Sequence, residues 1–152
     1  MTTRRQFLTV TAALPVAALV GVPAFAAQPK VFATDGVAIN GYDPVAYFTQ
    51  SKPVKGKAAY SVTWNGADWH FSSAETQAAF EASPETYAPQ FGGYCAYAVS
   101  KGYTATTIPE AWTVYDDKLY LNFSLRAREL WSEDIPGNIK AGNANWPAVL
   151  DA

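Results

Sequence analysis

The two side chains best suited to chemistry in this chain each occur once. Cys95 is the only cysteine and His70 the only histidine among 152 residues. A thiol becomes a nucleophile when its thiolate is stabilised, for example near the N-terminus of a helix. Gly92 and Gly93 lie just before Cys95 and are expected to leave free amides near the sulfur. Cys95 is therefore the candidate catalytic thiol, and the alternative is a buried, inert side chain.

His70 and Cys95 are also the candidate metal ligands. Two protein ligands are too few for a closed zinc site, so oxygen ligands from Asp43, Asp68 or a tyrosine would be needed. A thiolate and an imidazole together suit copper better than calcium or magnesium. The alternative for His70 is a solvent-facing or otherwise satisfied histidine on a strand. The cofactor is thus unknown, with a transition metal such as copper as the candidate.

Four tyrosines and one aspartate complete the candidate ligand site. Tyr94 and Tyr97 flank the thiol and are able to donate hydrogen bonds to it. Tyr42, Asp43 and Tyr47 form the second part of the site. The alternative for Asp43 is to cap a short helix that the following proline opens. The alternative for the tyrosines is a place in the core or at its rim.

Several enzyme classes lack their characteristic residues here. The chain has no Ser-His-Asp ordering, no P-loop, no dinucleotide-binding glycine pattern and no CxxC motif. These observations leave open whether the chain is an enzyme at all.

The elements that must position these residues form a small single domain of the α+β class. Residues 59–64 and 68–71 are predicted to form a β-hairpin, because Asn65-Gly66 is a strong two-residue turn signal. A second hairpin is predicted over residues 111–115 and 119–123. A single sheet containing both hairpins is one arrangement that this pattern allows. Residues 27–40 are expected to be irregular, with an edge strand at residues 31–32.

Short helices are predicted between the two β-hairpins, and a helical segment after them. Ser72 or Ser73 is expected to cap the helix that follows the first hairpin, and Ser72 with Glu75 matches a capping box. Small residues within 94–99 and a glycine shortly after them favour a helix, and a strand is the alternative. Ser124 is expected to cap a further helix, and the last helical stretch is expected over residues 138–145.

Residues 1–26 have the features of a twin-arginine export signal. Arg4 and Arg5 precede an apolar run over residues 10–22, which is shorter than the roughly 20 residues of a membrane-spanning helix. Residues 24–26 predict cleavage before Ala27. The export machinery is then a partner, and the protein is expected to be periplasmic or otherwise exported. A Sec signal and an uncleaved anchor are the alternatives.

The charge of residues 27–152 argues against nucleic acid as a partner. Removing Arg4 and Arg5 from the 11 basic residues leaves 9 against 13 acidic ones, a formal net charge of −4. No basic run remains, whereas binding to a phosphate backbone depends on clustered Lys and Arg. No apolar segment after the cleavage site is long enough to be a stable membrane span.

Residues 60–87 resemble the YHS domain. The pattern of that family is a short hairpin leading into a helix, followed by a proline and a tyrosine. It is matched here by Trp64-Asn65-Gly66-Ala67-Asp68-Trp69-His70-Phe71-Ser72-Ser73, Phe80, Pro84 and Tyr87. Residues 41–48, 92–98 and 134–138 extend the resemblance to a bacterial group of exported YHS-domain proteins. The resemblance implies one YHS-like domain over residues 27–152, with its core motif at about 59–88 and a helical C-terminal extension.

The resemblance also carries expectations about chemistry. Many YHS domains are presumed to bind metal, and a cysteine usually follows the strand aromatic that corresponds to Phe71. This chain has Ser72 at that position, so the thiolate pair that the family implies is absent. Some relatives of the exported group are described as selenoproteins. If their selenocysteine falls at the position of Cys95, the resemblance implies redox chemistry there.

Three functional hypotheses follow from the sequence. The first is an exported YHS-type module that binds a metal ion or a small ligand near Cys95. The second is a thiol-dependent redox protein in which Cys95 reacts and an external thiol resolves the product. The third is a structural or partner-binding protein without small-molecule chemistry.

Overall fold

The computed structural model describes residues 27–152, and the predicted export signal lies outside these residues. The strands are β1 (Ala33–Thr34), β2 (Val37–Ala38), β3 (Lys57–Trp64), β4 (Ala67–Phe71), β5 (Trp112–Tyr115) and β6 (Lys118–Leu121). The helices are α1 (Ala46–Thr49), α2 (Ala74–Ala82), α3 (Pro84–Tyr87), α4 (Ala96–Ser100), α5 (Leu125–Ser132) and α6 (Ile135–Asn145). Short 3-10 turns cover Ile39–Gly41, Gln90–Gly93 and Ala148–Asp151. The predicted α+β class is confirmed.

The hairpin of β3 and β4 forms as the sequence predicts. Val62 pairs with Trp69 across the two antiparallel strands. Asn65 and Gly66 have φ values of 51° and 80°, the left-handed conformation that a two-residue type I′ turn requires. Side chains alternate between faces along each strand, so the indole of Trp69 is buried on the core side.

The sheet is completed by the two short strands that precede this hairpin. The order is β1-β2-β4-β3, with β1 and β2 antiparallel. β2 lies parallel to β4 through the pair Val37 and Asp68. The predicted edge strand at residues 31–32 is wrong: Val31 and Phe32 are buried, and the pairing begins two residues later at Ala33. Their apolar side chains are used in the core instead of at a sheet edge.

The second hairpin stands apart from the first. β5 and β6 pair only with each other among the described residues, so the arrangement with both hairpins in one sheet is wrong. β6 instead lies between two buried clusters. Leu119 and Leu121 contact the cluster around the first hairpin, whereas Tyr120 contacts the cluster formed by α4, α5 and the C-terminal tail. The alternation of side chains along a strand allows one strand to serve both cores.

Serine caps begin two of the longer helices. Ser73 accepts a hydrogen bond from Thr76 N at the start of α2, and Ser124 accepts one from Ala127 N at the start of α5. The predicted capping box at Ser72 is wrong, because the Ser72 hydroxyl donates to Asp43. The last helix also begins earlier than predicted, at Ile135.

Asp43 is a fully buried carboxylate that joins two parts of the fold. Its Oδ1 accepts from Val45 N at 2.9 Å and from Ala46 N at 3.4 Å, where α1 begins. Its Oδ2 accepts from both Ser72 N at 2.9 Å and Ser72 Oγ at 2.7 Å. Four donors therefore satisfy this carboxylate, as a buried anion requires.

No described helix is both long and apolar enough to cross a membrane.

Replacing Asp43 by asparagine tests this joint. We expect Asp43→Asn to lower the free energy of unfolding by about 3 kcal/mol, because an amide NH₂ cannot accept from the two donors of Ser72. The measurement is equilibrium unfolding in urea. Asp35→Asn is the matched control, since Asp35 is exposed in a turn with φ of 51°, a conformation that asparagine tolerates. A loss of stability that is equal in the two variants would contradict the assignment.

Candidate thiol pocket

Cys95 occupies the position just before α4, and its sulfur is held by two hydrogen bonds. The thiol donates to Asn122 Oδ1 at 3.4 Å and accepts from Ala98 N at 3.5 Å. The backbone N–H of Cys95 donates to Ala105 O at 3.0 Å. The side chain is thus an N-cap of α4, and its orientation is fixed from both sides. The predicted role for the amides of Gly92 and Gly93 is not seen in these contacts.

Asn122 is the partner of the thiol that the sequence analysis did not single out. It follows β6 and is 0% exposed. Its Oδ1 accepts from Tyr97 N at 2.9 Å as well as from the thiol, whereas its Nδ2 is buried without a hydrogen-bond partner among residues 27–152. The sequence does contain a sign of this role, because Asn122 lies between apolar Leu121 and Phe123. A polar side chain that is buried among apolar residues needs a hydrogen-bond partner.

A pocket of about 270 Å³ opens beside the thiol. It is lined by Cys95 and by residues of α4, α5 and the loops between them: Tyr97, Ala98, Tyr103, Ala105, Phe123 and Ala127. Two aromatic side chains at this pocket are unusually accessible, Tyr103 at 53% and Phe123 at 55%. Cys95 itself is only 2% exposed. The thiol therefore lies at the wall of an apolar pocket and not on the open surface.

Tyr97 is the predicted ligand residue that the structure brings to Cys95. Its ring lines the same pocket, and Lys101 Nζ lies 5.2 Å from the ring centroid. Tyr94 is adjacent in sequence but is directed elsewhere, because its hydroxyl donates to Pro29 O at 2.7 Å. Burial raises the pKa of Tyr94 above its ordinary value.

The Tyr42–Tyr47 segment lies outside the thiol pocket. Tyr47 is buried, and its hydroxyl donates to Pro109 O at 3.0 Å. Burial, with smaller contributions from Glu110 and Tyr42, raises the pKa of Tyr47. Tyr42 is half-buried, with Lys55 Nζ 5.1 Å from its ring centroid. Asp43, Tyr42 and Tyr47 each contact other parts of the fold. None of the three lines the pocket at Cys95.

His70 also lies away from the thiol pocket. It is half-buried on β4, where it pairs with Ser61, and its Nδ1 faces Gly41. A Cβ built on that glycine would be 3.6 Å from Nδ1. Within residues 27–152 no group of three or more His, Cys, Asp or Glu side chains is arranged to hold a metal ion. The pairing of His70 with Cys95 in a metal site stays a prediction.

Comparison with protein families gives one match. Residues 45–91 match the family model of the YHS domain. The chain contains a YHS domain. No curated protein and no solved structure matched the chain. The matched residues contain Tyr47 and His70, and they include the stretch at about 59–88 on which the sequence resemblance was based.

The thiol pocket is built outside the YHS domain. Cys95 follows the matched residues, and every other residue that lines the pocket lies between Tyr97 and Ala127. The YHS domain itself contains no cysteine. Any thiol chemistry of this protein therefore belongs to the segment that follows the YHS domain.

The apolar lining predicts a preference among thiol reagents. We expect benzyl methanethiosulfonate to modify Cys95 at least about tenfold faster than its trimethylammonium-ethyl analogue, after each rate is divided by that for free cysteine. The reason is that the pocket favours an apolar ring over a hydrated cation. The measurement is whole-protein mass against time, which reports on one site because Cys95 is the only thiol.

Filling the pocket provides the control for this measurement. Ala127→Phe places a ring in the pocket and is expected to remove the preference. Ala78→Phe makes the same change on the exposed side of α2 and is expected to leave it unaltered. Equal normalised rates for the two reagents in the unmodified protein would contradict an apolar pocket at the thiol.

Proposed function

We propose that this protein is an exported YHS-type binding module that takes a small, mainly apolar ligand in the pocket at Cys95. The observation that carries the proposal is the position of the lone thiol at the wall of a pocket of about 270 Å³. Pockets for drug-sized molecules occupy roughly 300–1,000 Å³, so a ligand of about one ring is the size that fits.

The lining defines the chemistry of this ligand. Ala98, Ala105 and Ala127 offer only methyl groups, and the ring of Phe123 adds apolar surface. The polar side-chain groups of the lining are the thiol and the hydroxyls of Tyr97 and Tyr103. A neutral ring with a single polar substituent matches this distribution, because apolar area supplies the binding energy and a few polar groups supply orientation.

Asn122 acts as a positioning residue for the thiol. Its Oδ1 accepts a hydrogen bond from the thiol, with 3.4 Å between sulfur and oxygen, while Ala98 N donates to the sulfur at 3.5 Å. The sulfur is therefore held at one place on the pocket wall before any ligand enters. Such preorganisation reduces the entropy lost on binding.

Thiol-based redox chemistry is the second candidate function. It is favoured by the backbone N–H of Ala98, which donates a hydrogen bond to the sulfur at 3.5 Å from the start of α4. The thiolate would attack a hydroperoxide, forming a sulfenic acid while the peroxide is reduced to an alcohol or water. An external thiol would then form a mixed disulfide with release of water, since Cys95 has no second cysteine to resolve it.

Ligand binding is tested by protection of the thiol. We expect p-cresol or indole to slow modification of Cys95 by iodoacetamide, with half-protection at about 1 mM, an affinity typical of a one-ring ligand. Ala127→Phe should abolish the protection and Ala78→Phe should retain it. Absence of protection by either compound, with both variants modified at the unaltered rate, would overturn the proposal.

Two further arms of the same assay separate the alternatives. Protection by Cu(I) or Zn²⁺ that is lost in His70→Gln would support a metal site shared by His70 and Cys95 and would contradict the apolar-ligand proposal. A dimedone adduct on Cys95 after treatment with hydrogen peroxide would support the redox function. All three arms report on one sulfur, so their outcomes are directly comparable.

Export is the part of the proposal that concerns residues 1–26. We expect the double variant Arg4→Lys, Arg5→Lys to accumulate in the cytoplasm as a full-length precursor when it is expressed in a bacterium with a twin-arginine pathway. The unaltered chain should appear in the periplasm with Ala27 as its first residue. Fractionation and intact mass provide the measurement. Normal export of the double variant would indicate a Sec signal instead.

A further inference from the structure

A second cavity, larger than the thiol pocket, lies away from Cys95. It is a cleft of about 480 Å³ between the turn of the first hairpin, the segment after α3 and the C-terminal tail. It is lined by the indoles of Trp64, Trp69 and Trp146, by the ring of Phe91 and by four polar side chains. Three of the five tryptophans in the chain therefore meet at this cleft.

The three indoles that line the cleft, the aromatic wall, differ in their accessibility. Trp64 and Trp146 are half-buried, whereas Trp69 is almost fully buried. The indole N–H of Trp69 already donates to Trp64 O at 3.0 Å. Trp69 therefore packs behind the accessible rings, and its N–H is not free to bind a ligand. The accessible indoles belong to two different elements, the end of β3 and the residue after α6.

The floor of the cleft is closely packed. Phe91 has φ of 57°, a left-handed conformation that is uncommon for a bulky residue. This conformation directs its ring against α6, where a Cβ on Gly142 would lie 2.6 Å from Phe91 Cζ. The following Gly92 approaches Lys30 O so closely that any side chain there would collide with that carbonyl. Strained backbone of this kind persists where surrounding contacts determine it, and it often accompanies binding sites.

The polar groups at the cleft form a balanced set. They are the ammonium of Lys30, the carboxylate of Glu85 and the amides of Asn65 and Gln90. Within residues 27–152 none of these four side chains makes a hydrogen bond or an ion pair with another side chain or with the backbone. The set offers donors and acceptors in similar number and one charge of each sign.

We propose that this cleft binds a neutral carbohydrate of one or two pyranose rings. A pyranose has C–H faces that pack on indole rings and hydroxyl groups at its edge that both donate and accept hydrogen bonds. It therefore matches an aromatic wall with a balanced polar set. A charged ligand fits less well, because either Lys30 or Glu85 would oppose it. A flat apolar ligand would leave all four polar groups unused.

The proposal is independent of the thiol pocket, since the two sites share no lining residue. Most of the cleft belongs to the YHS domain, whereas the thiol pocket follows it.

Titration of the ¹⁵N-labelled protein with neutral disaccharides tests the proposal. Cellobiose, maltose and diacetylchitobiose are the probes, each raised to about 20 mM, a range suited to weak sites. We expect saturable shifts of the indole N–H signals of Trp64 and Trp146 with at least one of them. Asn65→Gly should weaken that binding about fivefold, because it removes an amide while glycine retains the turn.

Asp116→Gly is the matched control, because Asp116 has φ of 50° at the corresponding position of the second hairpin. We expect it to leave the affinity unchanged. Absence of shifts with all three sugars overturns the proposal. A proline-rich peptide and free indole are titrated in the same way. Shifts with one of these and with none of the sugars also overturn the proposal, and they would identify the cleft as a peptide site or an apolar site.

Discussion

The buried carboxylate of Asp43 is the interaction on which the arrangement of the YHS domain depends. It lies two residues before the matched segment and accepts hydrogen bonds both from the start of α1 and from Ser72 at the end of β4. A buried anion without a cation is tolerable only when donors surround it, and here four do. The helix, the hairpin and the segment leading to α2 are consequently held in one orientation by a single side chain.

The described residues contain two buried clusters, and residues of both line the cleft at Trp64, Trp69 and Trp146, the tryptophan cleft. Trp69 belongs to the first cluster, whereas Phe91 and Trp146 belong to the second. The helix α4, which carries Cys95 at its start, also packs in the second cluster. β6 separates the two cores, and Asn122 directly after it fixes the thiol. The chain thus holds two pockets of different chemistry, an apolar one with a thiol and an aromatic one with balanced polar groups.

Local signals made much of this fold predictable, whereas long-range contacts did not. The turn at Asn65-Gly66 and the cap at Ser124 depend on neighbouring residues and were predicted correctly. Ser72 and Ser73 are equally good caps in sequence, and only the contact with Asp43, 29 residues away, removes Ser72 from that role. The parallel pairing of Val37 with Asp68 likewise leaves no local signature.

The candidate sites show the same contrast. Cys95 could be singled out because it is unique, but its partner Asn122 lies 27 residues away and could be paired with it only through the fold. The tryptophan cleft was not predicted, because its aromatic residues come from distant segments, Trp64 from the first hairpin and Trp146 from the tail. A sequence shows that a residue type occurs once, as cysteine does here. It does not show that several tryptophans from distant segments meet in the fold.

The two ends of the described chain meet, since Gln28 N donates to Leu150 O at 2.7 Å. The segment at Gln28 is thus held against the segment at Leu150, and the Tyr94 hydroxyl holds the next residue through Pro29 O. An exopeptidase that trims the carboxyl end past Leu150 would remove the acceptor of Gln28 N, whereas Pro29 would stay bonded to Tyr94. Because Gln28 and Leu150 lie side by side, the ends of this segment could be joined covalently. Opening an exposed loop at the same time would permute the chain without rearranging its contacts.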